Sequence, residues 1–226
     1  YRVVGKVMGT ELEGLHYQQL MPWIKPVEKA GEFAPKFVND YAQAHPEKVF
    51  TGEDGRDKFV EMESEAFRII LGDYVTTEDG TGIVHIAPTF GADDDKVAKQ
   101  NGIAPLFVVD KKGDTRPMVD LTGKYFDISD LDDNFVKTNV NLPSYRQWAG
   151  RFVKNAYDQH LSDTDVTLDV DICMELKQRG QVFKIEKHTH NYPHCWRTDK
   201  PVLYYPLDSW FIRTTAGKDE MIALNA

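Results

Sequence analysis

Cysteine is scarce: a chain of 226 residues carries two, Cys173 and Cys195. That is too few for the multi-bridge framework by which small secreted domains compensate for a thin core. Long hydrophobic runs are also missing, and no stretch approaches the roughly 20 apolar residues that a membrane-crossing helix needs. The opening Tyr1-Arg2-Val3-Val4 lacks the layout of a signal peptide. These absences fit a reducing cytoplasm and no membrane. Positive charge is in deficit, 27 Lys and Arg against 36 Asp and Glu, for a net charge of −9. Broad wrapping of DNA or RNA relies on cationic side chains neutralising phosphates, so that class is excluded, whereas contact with one end of an RNA is not. There is no Gly-x-Ser-x-Gly nucleophile elbow and no Gly-Lys-Ser/Thr phosphate loop.

What is present is a capacity to bury a core, with 41% hydrophobic and 12% aromatic residues. Segments 1–7, 66–70, 74–77, 82–87, 106–110, 181–190, 202–205 and 210–214 read as strands, punctuated by Gly72, Asp79-Gly80 and Lys111-Lys112-Gly113. Segment 21–65 is rich in proline and reads as an irregular insertion with short helices. Helices are expected over 92–100, stopped by Asn101-Gly102, and over 169–179, stopped by Gly180. The spacing of Tyr145, Trp148, Ala149, Phe152, Val153 and Ala156 predicts an amphipathic core helix. A further helical pattern starts at Asp219 and runs to the last residues, and both ends read as cuts from something larger. The expected fold class is α+β on a curled or barrel-like sheet with helical insertions.

The most informative stretch is GTGIVHIAPTFGADDDKVAK, residues 80–99. If 81–87 is a strand, Thr81 and His85 share a face, and His85 projects near the end where a turn leads into a helix opening with Asp93, Asp94 and Asp95. Such an edge is a common place for a small-molecule site. Three carboxylates there repel phosphate, and Asp94 could hold an ammonium group by a charge-assisted hydrogen bond. The plainer reading is that acids favour a first helical turn and a strand-end histidine is a packed core residue.

HTHNYPHCWRTD, residues 188–199, gathers His188, His190, His194 and Cys195, but Thr198 stands where a second zinc-ribbon cysteine belongs. No metal is predicted. Residues 177–200 hold six Lys and Arg against two Asp and Glu. They form either a solvated basic face or the place where an RNA backbone is met. Cys173 reads as a packing residue within a helix.

GDYVTTEDGTGIVHIAPTFGADD together with HNYPHCWRTDKPVLYYPLDSWFIRTT resembles the isoleucyl-tRNA synthetases, within the class I aminoacyl-tRNA synthetases, and specifically their inserted editing domain. The resemblance implies a β-barrel-like editing domain over 1–190 and a return toward the catalytic core over 191–226. It implies deacylation of Val-tRNA(Ile), and of valyl-adenylate, as the second sieve that a one-methylene difference makes necessary, a case the general theory of enzyme selectivity uses as its own example. On this resemblance Asp94 binds the substrate ammonium and His85 excludes isoleucine and orients the terminal ribose. Thr89, Phe90, Gly91 and Thr81 shape the pocket, and Lys184, Lys187 and Arg197 meet the tRNA. The implied partners are the tRNA(Ile) 3′ end, a valine or isoleucine moiety and the rest of the synthetase chain.

The sequence departs from that pattern in having no threonine-rich run of the WTTTPWT type, so one pocket wall is expected to be missing. It also has no HIGH or KMSKS signature, so ATP and Mg²⁺ belong to the full-length enzyme and no cofactor to this segment. Alternatives are a non-catalytic module for the tRNA acceptor end, the editing domain of a valyl- or leucyl-tRNA synthetase, and a zinc hydrolase using His188, His190 and His194.

Overall fold

Side-chain alternation along one short strand divides the core in two. Neighbouring Phe59 and Val60 are both fully buried, Phe59 against Val27, Phe135 and Leu131, and Val60 against Val38 and Met62. Successive strand residues face opposite sides, so a single strand serves both clusters. The computed structural model describes residues 2–78, 81–162, 164–187, 189, 191–207, 209–210 and 212–225.

That strand, β3 (Lys58–Glu61), is the centre of an antiparallel sheet flanked by β1 (Val27–Ala30) and β2 (Val49–Thr51). Between β1 and β2 runs α1 (Lys36–Ala44), whose buried Val38 covers the Val60 face. In the register Glu28 opposes Val60, and directly opposed residues share a face, so Glu28 lies on this second side of the sheet. The irregular insertion expected over 21–65 is therefore a sheet with a helix. Its strands of three or four residues are too short to show a period.

Next comes α2 (Ala92–Asn101), with Gly102 at φ 62°, ψ 33° as the expected left-handed stop. A hairpin of β4 (Phe107–Val109) and β5 (Thr115–Pro117) follows. Its turn is tied by the Asp110 carboxylate, which accepts from the N–H groups of Lys112 at 2.8 Å and Asp114 at 3.0 Å. Buried Asp132 caps α3 (Asp133–Asn139), accepting from Phe135 N–H at 2.8 Å through one oxygen and from Glu53 N–H at 2.6 Å through the other. One carboxylate thus joins a helix start to the β2–β3 loop.

The larger core centres on Trp23, stacked on Trp148 at 5.1 Å and edge-on to Tyr125 at 5.4 Å. Buried Tyr145 donates its hydroxyl to the Phe126 carbonyl at 2.6 Å. The helix expected over 145–156 does not form. The short α4 (Leu142–Tyr145) ends and turns lead to Gly150 at φ 74°, a conformation that β-carbon sterics deny most residues. Tyr145 and Trp148 still reach the core, so their spacing correctly marked burial and misnamed the geometry. Further along lie α5 (Leu168–Gln178), stopped by Gly180 at φ 69°, and α6 (Lys218–Leu224), both as expected.

Among the described residues the sheets have three and two strands and no closed barrel forms, so the protein is a mixed α+β fold without the barrel-like sheet. Residues 2–7, 74–77 and 82–87 are not strands, 66–70 contributes only a bridge from Arg68 to His16, and the described parts of 181–190, 202–205 and 210–214 are likewise not strands. Val3, Val4, Phe183, Tyr204 and Ile212 are exposed, so the apolar residues that suggested these strands are not held in a core. No helix among the described residues is long and apolar enough to cross a membrane.

Candidate functional site

The segment expected to carry His85 on a strand forms none and is turned at its start. Gly82 adopts φ 77°, and the Thr81 hydroxyl accepts from Ile83 N–H at 3.3 Å, closing a small loop in place of a ladder. The shared face of Thr81 and His85 therefore does not exist, and Thr81 stands exposed. Ala87-Pro88-Thr89-Phe90 then makes a tight turn, with Phe90 N–H donating to the Ala87 carbonyl at 2.9 Å and proline at the position its fixed φ favours.

This turn feeds α2. Asp94, in the first helical turn as expected, reaches back so that its Oδ2 accepts from Ala87 N–H at 2.9 Å. Gly91 leaves room for that reach, since a β-carbon there would sit 2.8 Å from the same oxygen. The adjacent Asp95 pairs with Lys99 at 2.8 Å one turn on. Two of the three acids are thus differentiated: Asp94 fastens the turn and Asp95 is paired along the helix.

Two cavities flank the turn. One, of about 530 Å³, has His85, Thr89 and Phe90 among its wall residues together with Trp23, Met118, Tyr125 and Ile172, so it is mostly apolar. Burial pushes the Tyr125 hydroxyl up to about 12, keeping it neutral at physiological pH. The other, of about 660 Å³, is lined by Thr89, Gly91, Asp95, Lys99 and, from β1, Glu28. Burial pushes the Glu28 carboxyl up to about 7, with Lys99 opposing and Asp95 reinforcing the shift.

Of the expected site residues, His85, Thr89 and Phe90 are brought together on one cavity, Gly91 faces the other, and Asp94 lines neither of these two cavities while bracing the turn between them. Glu28 and Leu203, which line these walls, were not singled out in the sequence. Glu28 sits in a tetrapeptide, VEKA, whose strand register alone turns it inward.

The basic segment lies apart from these cavity walls. Lys184 pairs with Glu186, Lys187 is exposed, and the Arg197 guanidinium lies 4.6 Å from the Trp196 ring centroid. Cys195 opens a turn in which Asp199 N–H donates to its carbonyl at 2.8 Å, and hydrogen bonds from Thr198 and the Arg197 amide hold its thiol below the usual range. Among the described residues no group of three His, Cys, Asp or Glu could hold a metal ion, while His188 and His190 lie outside the described residues.

No family model matches the chain. Similarity to curated proteins nevertheless runs along its full length, and the class those relatives define is the aminoacyl-tRNA synthetases. The chain is 56% identical over 225 residues to the isoleucine–tRNA ligase of Bacteroides fragilis strain YCH46, all of the chain against 17% of that protein. It is 55% identical to that of Porphyromonas gingivalis, over 17% of its length, and 41% identical to that of Cytophaga hutchinsonii, over 16%. The chain belongs to the isoleucine–tRNA ligase family and spans about a sixth of the length of the relatives it matches.

Proposed function

We propose that this segment is the editing part of an isoleucine–tRNA ligase and hydrolyses the ester joining valine to the 3′-terminal adenosine of tRNA(Ile), and valyl-adenylate as well. One observation carries the reading: in a chain homologous to these ligases, His85, Thr89 and Phe90 border a mostly apolar cavity at a turn clamped by the Asp94 carboxylate. An apolar cavity suits an aliphatic side chain, and a carboxylate beside it suits the ammonium of an aminoacyl ester.

In this reading Asp94 anchors the ammonium through the oxygen that Ala87 leaves free. His85 limits side-chain size and orients the ribose, and Thr81 and Gly91 shape the approach. Water attacks the carbonyl carbon, the bond to the ribose oxygen breaks, and a proton passes to that oxygen. Neither Asp94 nor His85 has to act as the base, because backbone, hydroxyl groups and the substrate's own ribose hydroxyl position the water. Residues 1–190 form the editing unit and 191–226 the path back to the synthetic core, with Lys184, Lys187 and Arg197 meeting the tRNA in the cytoplasm. ATP and Mg²⁺ serve the synthetic site of the full-length enzyme.

The test is deacylation of Val-tRNA(Ile) by a full-length synthetase carrying this segment, compared with its His85→Ala and Asp94→Ala forms. Loss of hydrolysis with retained aminoacylation is expected. Unchanged hydrolysis in both variants overturns the reading, and tRNA binding without hydrolysis in the parent favours a docking module instead.

A further inference from the structure

Among the described residues, the two cavities beside the turn share two wall residues, Thr89 and Leu203. Thr89 is 7% exposed and sits in the turn closed by Phe90 N–H on the Ala87 carbonyl, which fixes the position of its backbone. Leu203 comes from a distant segment, which is moored to the same turn by the edge-on contact of Tyr205 with Phe90 at 6.3 Å. The compartments differ in chemistry: the His85 side is mostly apolar, and the far side carries Glu28, Asp95 and Lys99. Thr89 and Leu203 therefore stand on the boundary between an apolar cavity and a second, also largely apolar one that carries those three charges.

We propose that Thr89 and Leu203 together form the size-limiting wall of the His85 cavity, so that these two residues, in addition to His85, decide which aliphatic side chain is hydrolysed. The inference rests on the ester-hydrolysis reading above. A side chain one methyl group larger than the cavity admits must push against these two residues, and overpacking of this kind is destabilising. Trimming either one enlarges the His85 cavity on the side of its neighbour and gives a larger branched side chain room there. A hydrophobic pocket separates substrates differing by one methylene by roughly 10- to 200-fold, and that margin is what the wall controls.

Thr89→Ala and Leu203→Ala are made separately in a full-length synthetase carrying this segment, and deacylation of Val-tRNA(Ile) and Ile-tRNA(Ile) is measured for each. The expected result is a rise of about tenfold in the ratio of isoleucyl to valyl hydrolysis in both variants. A ratio within about twofold of the parent in either variant that folds and still hydrolyses the valyl ester overturns the proposal. Thermal melting followed by circular dichroism establishes folding, and if Thr89→Ala does not fold, Leu203→Ala decides alone. A parent that hydrolyses neither ester overturns the editing reading and this inference together. A parent that edits with an unmoved ratio in the variants overturns only the assignment of the wall.

Discussion

Asp94 and Ala87 are joined by a hydrogen bond of 2.9 Å, from the Ala87 N–H to the Asp94 Oδ2, across the turn that presents Thr89 and Phe90. The carboxylate therefore has two separable duties, holding the turn and offering charge. Asp94→Asn keeps an oxygen for Ala87 and loses the charge, whereas Asp94→Ala loses both. The expected outcome is that Asn melts with the parent yet loses valyl deacylation, while Ala also gives up about 1–3 kcal/mol from the orphaned N–H. Equal activity of Asn and parent would show that the charge is not used.

Glu28 makes stability depend on pH. Its ordinary value of 4.5 is pushed up to about 7 by burial, so the folded chain retains a proton that the unfolded chain releases. The stabilisation is complete below 4.5 and is lost as pH rises through about 7. Denaturant titration should show stability falling across that window, and Glu28→Gln should abolish the fall. At pH 8 the Gln variant is expected to be the more stable, by on the order of 1–3 kcal/mol.

Asp132 is 1% exposed and satisfies two backbone donors from different elements. Its replacement by Ala removes a helix cap and leaves the Glu53 amide unpaired, for an expected loss of roughly 2–4 kcal/mol. Equilibrium unfolding measures it. Asp132→Asn, which retains one acceptor, should lose less.

Gly123 cannot accept a side chain. It adopts φ 86°, and a β-carbon would lie 2.4 Å from a ring carbon of Tyr157. Gly123→Ala is expected to destabilise by about 1–3 kcal/mol, and a following Tyr157→Ala to recover only the part owed to the clash. Thermal melts of the single and double variants separate the two contributions.

The helices with a chemical stop were legible from residues alone: Gly102 and Gly180 end α2 and α5 where a left-handed residue was expected. The acidic opening of α2 was equally plain. The sheet was not, because VEKA, VFT and KFVE are too short to show alternation and owe their pairing to residues up to 34 positions away, as Val27 with Glu61 shows. The opposite error occurred at 82–87, where β-branched residues suggested a strand that Gly82 and the Thr81 hydroxyl turn into a loop. Of the site, the grouping of His85, Thr89 and Phe90 could be anticipated from one contiguous stretch. Glu28 and Leu203 could not, since only tertiary structure carries them to Thr89.

Because Phe59 and Val60 are consecutive and feed opposite cores, β3 has no tolerance for slippage. A shift of one residue would thrust phenylalanine beneath α1 and valine against Phe135, spoiling both sides at once. Neither core can loosen alone through this strand, so the sheet ties them into one cooperative unit whose amides should exchange with solvent through a shared opening.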